Sequence, residues 1–132
     1  MIKYVTMKIK NHTVKIRKNS LRPLPKLKKD AEKWFHKYIV KRDNYICYTC
    51  GGVGNQAGHY WHGKLDFDER NLHCQCPGCN KWRHGNLAEY GQHLKEEFGQ
   101  EWVDKLYSDA HQMSNKFSRS ELQDIINKYK LL

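Results

Sequence analysis

Two cysteine pairs, Cys47-Tyr48-Thr49-Cys50 and Cys76-Pro77-Gly78-Cys79, constrain this chain more than any other feature. Four thiolates delivered as C-x-x-C pairs 25 residues apart can close a tetrahedron around zinc and leave no coordination position open. Gly51 and Gly52 after the first pair, and Pro77-Gly78 inside the second, supply the tight turns that such knuckles need. Disulfides or redox pairs are the weaker alternative, because the N-terminus has no continuous apolar region for export. No apolar run approaches the roughly 18 residues that span a bilayer, so a cytoplasmic protein without a membrane partner is expected. Cys74, the fifth cysteine, reads as a small strand residue.

A metal staple suits a chain of 132 residues, which holds one modest core. We expect a basic N-terminal arm over 1–25 and a single zinc-stabilised domain over 26–132. Charge is segregated along this plan: residues 1–44 carry 14 Lys+Arg against 3 Asp+Glu, the remainder 10 against 11. A basic segment of that density attracts polyphosphate through counterion release, whereas a surface built only for solubility needs no segregation of sign.

Along the arm, Val5, Met7 and Ile9 alternate with Thr6, Lys8 and Lys10, and Val14 and Ile16 resume the pattern after Asn11-His12-Thr13. That predicts a basic β-hairpin. Pro23 and Pro25 then break regular structure before a helix over 26–42, with Leu27, Ala31, Trp34, Phe35, Tyr38 and Ile39 at helical spacing. Lys29, Lys33, Lys37 and Lys41 line another face and, with Arg42, are candidate phosphate contacts. Residues 45–80, within a zinc-knuckle core expected over 45–90, hold the cysteines and most glycines and predict short strands and turns. Helices follow over 86–130: one through Leu87, Tyr90, Leu94 and Phe98 to Gly99, one at Trp102, Val103 and Leu106, and a last one capped by Ser118 or Ser120 with Glu121 or Gln123. The class is α+β.

A zinc knuckle needs nothing particular between its cysteine pairs, yet here stand Gly58-His59-Tyr60, then Asn71-Leu72-His73, then Asn80 directly after Cys79. His, Asn and Asn in that order resemble the skeleton of an HNH, or ββα-metal, nuclease. Phosphodiester hydrolysis needs a base to activate water and a divalent cation to neutralise charge on the leaving oxygen. His59 suits the base, Asn80 the cation (Mg²⁺ or Mn²⁺), and Asn71 would hydrogen-bond the loop that orients the imidazole. His84, four residues after Asn80, would share its helix face as a second ligand or a phosphate contact. Lys81 and Arg83 beside Asn80 extend the phosphate-contact set. Trp61 and Trp82 flank the site and would either stack on unpaired bases or pack in the core. His12, His36, His93 and His111 receive no functional assignment.

Ala57-Gly58-His59-Tyr60, Asn71-Leu72-His73-Cys74-Gln75-Cys76, Cys79-Asn80 and Gly85-Asn86-Leu87-Ala88-Glu89-Tyr90 together resemble the NinG (Rap) family of lambdoid phage recombination proteins, over residues 27–110. The resemblance implies a structure-specific endonuclease acting on branched DNA such as Holliday junctions and D-loops, in the host-cell cytoplasm. The layout is also similar to the phage resolvase endonuclease VII, which implies a cation on Asn80, a base at His59 and a small zinc-knuckle ββα-metal core. His73 enters the catalytic set by matching the NinG-like pattern.

One position departs from the endonuclease VII-like arrangement, where an Asp precedes the histidine and ligates the cation; here it is Gly58. The cation then takes His84, Asp66, Asp68, Glu89 or His59 itself, and in the last case the base falls to His62 or His73. Two other classes stay open: a non-catalytic zinc-ribbon module that binds nucleic acid, and an adaptor in which zinc is only a staple. Resolving a four-way junction takes two coordinated cuts, which would suit a homodimer built on the C-terminal helices.

Overall fold

In a computed structural model describing residues 4–17, 22–113 and 116–132, the N-terminal alternation forms a hairpin of β1 (Tyr4–Ile9) and β2 (His12–Arg17). The strands pair antiparallel, with Val5 opposite Ile16 and Met7 opposite Val14. The turn is only Lys10-Asn11, with Lys10 at φ 56°, so His12 and Thr13 belong to β2 and not to the turn. A two-residue loop with positive φ matches the twist of the flanking strands. The side-chain faces expected for Val5, Met7, Ile9, Val14 and Ile16, and the join over 18–21, lie outside the described residues.

Helix α1 (Leu24–Arg42) starts earlier than the prolines suggest, because Pro25 sits in its first turn, where a missing N–H removes no helical hydrogen bond. Leu27, Ala31, Phe35 and Ile39 are buried at four-residue intervals, while Lys29, Lys33, Lys37 and Lys41 are exposed. The helix gives way to Asn44 (φ 55°) and Tyr45 (φ 59°), two left-handed residues that swing the chain into the first cysteine pair.

Strands β3 (Gln56–His59) and β4 (Leu72–Gln75) form a second antiparallel pair, with Gly58 opposite His73 and His59 opposite Leu72. Because side chains alternate across a strand, this small sheet has two covered faces. Ala57 and Leu72 pack against Phe35 and Ile39 of α1 and Tyr129 of α4 (Arg119–Lys130). His73 faces Tyr90 of α2 (Leu87–Phe98) on the other side, and α3 (Gln100–Ala110) packs beneath through Leu65, Leu94 and Leu106. Leu122 and Ile126 of α4 close the core against Leu27 and Ala31 of α1. Each fully buried Leu, Ile or Phe side chain in these layers contributes about 1.5–3 kcal/mol by leaving water. Ser118 and Glu121 form the capping box that starts α4.

Between β4 and α2, residues Gly78–Trp82 make a π-helical turn rather than the first turn of an α-helix. His84, Gly85 and Asn86 follow with φ of 52°, 90° and 50° and reverse the chain into α2. No helix among the described residues is long and apolar enough to cross a membrane.

Candidate functional site

The two knuckles converge. The sulfurs of Cys47, Cys50, Cys76 and Cys79 all lie within 4.8 Å of one another, with Cys50 and Cys76 Sγ 3.7 Å apart. Among the described residues this is the one group of three or more His, Cys, Asp or Glu with its ligand atoms that close. Thr49 Oγ1 lies 3.3 Å from Cys47 Sγ, Cys79 N–H donates to Cys76 Sγ, and Asn86 Nδ2 donates to Cys79 Sγ at 3.7 Å. Burial of Cys47 opposes its ionisation, but the Thr49 and backbone hydrogen bonds outweigh it and bring the thiol to about 6. Cys50 gains a backbone bond from Gly52 that favours the thiolate, yet crowding by the Cys47 and Cys76 thiols pushes it to about 12. Zinc takes four cysteine sulfurs in a closed tetrahedral site, and the four cysteines fit it. Cys74 stands outside the group: it is fully buried on β4, and its N–H donates to Asp43 Oδ2 at 2.8 Å.

The second cysteine pair runs from the end of β4 into the π-helical turn, and the residue after Cys79 is Asn80. Asn80 Nδ2 donates to Gln56 Oε1 at 2.9 Å, so its carbonyl oxygen is the atom not used in that bond. His59 ends β3. Its Nε2 is 3.8 Å from Asp66 Oδ1, its ring stacks on His62 with centroids 5.0 Å apart, and it meets His36 edge to face at 5.4 Å. Burial lowers the His59 pKa, and His62 adds to the effect against the opposing pull of Asp66. His59 and Asn80 line one cleft of about 660 Å³, within the usual range of ligand sites. Its walls include Lys33 and Lys37 of α1 and the exposed ring of Tyr45.

Asn71 is fully buried and holds the loop after His59. Its Oδ1 accepts from Trp61 N–H at 2.9 Å, and its Nδ2 donates to the carbonyls of Trp61 and Leu65 at 2.6 and 3.0 Å. A buried side chain with all these bonds made fixes a backbone path that would otherwise be paid for in entropy.

Three predicted site residues, His73, His84 and Arg42, lie away from the cleft, and the two open tryptophan readings divide. His73 lies on the sheet face opposite the His59 cleft, stacked on Tyr48 at 4.0 Å with Nδ1 3.0 Å from Tyr90 Oη; strand alternation separates it from its β3 partner's neighbour. Tyr90 Oη in turn donates to Gly58 O, so His73 supports the sheet from behind. His84 is exposed in the left-handed turn beyond the π-helix and does not line the cleft, because the four-residue face ends at Trp82. Arg42 spends its guanidinium inside the protein: it donates to both Asp43 oxygens and to the carbonyls of Glu69 and Leu72. Trp61 packs on Tyr60, Tyr107 and His111, while Trp82 is 75% exposed with Lys81 Nζ 5.8 Å from its ring centre. Lys29, Lys41, Lys81 and Arg83 are exposed.

Of the carboxylates considered for the cation, Asp68 is tied up by Arg70, and Glu89 is exposed on α2 beside His93. Only Asp66 stands near His59, with Oδ1 accepting from Gly63 N–H at 2.7 Å and Oδ2 3.7 Å from Lys28 Nζ. Gly58 has no room for a carboxylate: a Cβ there would lie 1.8 Å from Gln75 Oε1. The residues that sequence reasoning passed over are Tyr45, Gln56 and above all His36, whose Nε2 is buried with no hydrogen-bond partner. Its helical spacing beside the lysines could have flagged it, but only the fold brings it to His59. Burial, then the neighbouring His59, lowers its pKa to about 4, so the ring is neutral at pH 7.

The family model described as Bacteriophage Lambda NinG protein matches residues 3–132. The chain belongs to the NinG family. Protein ninG of Escherichia phage 933W is 36% identical over 124 residues, covering 88% of this chain and 61% of the relative. The ninG proteins of Escherichia phage lambda and Salmonella phage P22 are each 38% identical, over 72% and 73% of this chain. This NinG-family chain therefore spans about half to three-fifths of the length of the curated relatives it matches. No solved structure matches it. The family match takes in the four cysteines, His59 and Asn80 together.

Proposed function

We propose that this NinG-family chain is a divalent-cation-dependent endonuclease for branched DNA, with an HNH-like ββα-metal core stapled by zinc. One observation carries the reading: His59 on a strand and Asn80 at a helical turn line one lysine-walled cleft, with Asn80 directly after a cysteine of the cluster. The order strand, strand, helical turn is the one this chemistry uses.

His59 is the base. Burial keeps its imidazole neutral and able to accept a proton from water, and Asp66 at 3.8 Å steadies the imidazolium that results. Asn80 would hold the cation through its carbonyl oxygen, since its amide nitrogen is given to Gln56. The cation, Mg²⁺ or Mn²⁺, supplies charge neutralisation at the phosphate. Lys33 and Lys37, with Lys29 and Lys41 along the same exposed stripe, draw the DNA backbone to the cleft.

The absence of a carboxylate at Gly58 favours a second reading, a zinc-ribbon module that binds branched DNA without cutting it. A cleavage assay separates the two: zinc-loaded protein with Mg²⁺ or Mn²⁺, a labelled four-way junction beside a linear duplex of the same sequence, and His59→Ala as control. We expect nicking near the branch that falls by about 10²-fold or more in His59→Ala, with zinc content and junction affinity unchanged. Tight junction binding with no cutting under either metal establishes the binding module instead.

A further inference from the structure

We infer that His36 of α1 is a ligand of the cleft cation, doing with a nitrogen what the missing carboxylate at Gly58 cannot do, and that the site therefore prefers Mn²⁺ to Mg²⁺. This rests on the nuclease reading of the same cleft and adds to it a residue from outside the strand–strand–turn core.

The inference follows from which electron pairs are left. Gly58 is filled against by the Gln75 side chain, and Asp68 is bound to Arg70. Asp66 faces the Gly63 N–H and Lys28. Among the described residues lining the cleft, the buried side-chain atom with no partner is His36 Nε2. It belongs to a ring 5.4 Å from the centre of His59, so a cation held there lies next to the base that must take a proton from cation-bound water. Asn80 lines the same cleft and adds an oxygen. Two protein ligands leave the remaining positions to water and phosphate, as an open catalytic site requires.

An imidazole ligand sets the metal preference. Mg²⁺ takes oxygen and gives up its water reluctantly, whereas first-row transition cations accept imidazole readily. Helix α1 also carries Lys33 and Lys37 on either side of His36, so one element would deliver both the phosphate contacts and the cation ligand.

The test is a Mn²⁺ titration of zinc-loaded protein followed by electron paramagnetic resonance, with Mg²⁺ as competitor, on wild type, His36→Ala and His36→Glu. Wild type should bind Mn²⁺ at least about 10-fold more tightly than Mg²⁺. His36→Ala should lose about 10-fold or more in Mn²⁺ affinity, and His36→Glu should shift the preference toward Mg²⁺. Equal Mn²⁺ affinity in a folded His36→Ala overturns the inference and makes His36 a packing residue. If His36→Ala fails to fold, the ¹⁴N coupling of bound Mn²⁺ in a His59→Ala, His62→Ala background decides, since these are the other cleft imidazoles: its presence supports a His36 ligand and its absence refutes it. Cleavage that runs equally well with Mg²⁺ in His36→Ala overturns this inference while leaving the nuclease intact. His36-dependent Mn²⁺ binding with no cleavage does the reverse.

Discussion

The cysteine cluster and the histidine cleft share a border at Cys79 and Asn80, yet they are built on opposite plans. The cluster draws its ligands from two short turns, each supplying a pair by local geometry, and surrounds its centre on all sides. The cleft draws on a helix, a strand, a loop and the π-helical turn, and stays open to solvent along the lysine wall. A closed site of local pairs can hold a small fold together, whereas an open site of scattered residues depends on a fold already held. The comparison predicts an asymmetry: damage to the cluster should destroy the cleft, and damage to the cleft should spare the cluster.

The largest effect should come from breaking the cluster. Structural zinc in small domains contributes on the order of 10–16 kcal/mol of apparent binding free energy at pH 7, comparable to or above the whole stability of a domain this size. Cys76→Ser should release zinc and unfold the domain together, read by circular dichroism and zinc content. A variant that keeps its helices without zinc would show that the packing of α1 on α4 suffices alone.

The same contrast decides how much could be read from residues alone. The C-x-x-C pairs are a short-range pattern, so their convergence was legible, as were the helices whose apolar spacing repeats over several turns, such as Leu27, Ala31, Phe35 and Ile39. The alignment of His59 with Asn80 followed from motif order. His36 was legible only as a helix residue beside the lysine stripe; its partner His59 reaches it through tertiary packing of β3 on α1. His84 and Arg42 failed for physical reasons specific to place. A π-helical turn changed the face that His84 would have shared, and Arg42 found four acceptors within the protein before any phosphate.

An intermediate effect should follow from the wall between the two sites. Gly58 lies against fully buried Gln75, whose Nε2 donates to Thr49 Oγ1 beside the first knuckle and to Gly85 O beyond the second. Gly58→Ala would place a Cβ 2.6 Å from Gln75 Cδ and 1.8 Å from its Oε1, and the side chain cannot retreat without losing those bonds. Overpacking of this kind costs about 1–3 kcal/mol, read from the denaturant midpoint. Zinc should remain bound while cleavage falls, because the displaced strand carries His59. A variant as stable as wild type would mean that Gln75 is free to move and that the sheet does not couple the sites.

The smallest effect on the fold, and the cleanest on the cleft, belongs to its lysine wall. Lys33 and Lys37 are exposed, with their ammonium groups 5.0 and 5.4 Å from the Trp34 ring centre, and neither forms an ion pair among the described residues. Replacing both by Ser should change stability by no more than about 0.5 kcal/mol, since exposed charges contribute little to folding. DNA affinity should respond differently. Each lost phosphate contact flattens the slope of log affinity against log salt by about 0.7–0.9, so the pair should lower it by roughly 1.4–1.8. Lys105→Ser, on α3 and paired with Asp109, serves as the control and should leave the slope unchanged. If the double variant keeps the wild-type slope, the DNA does not approach along α1, and the charge of the N-terminal third acts elsewhere than at the cleft.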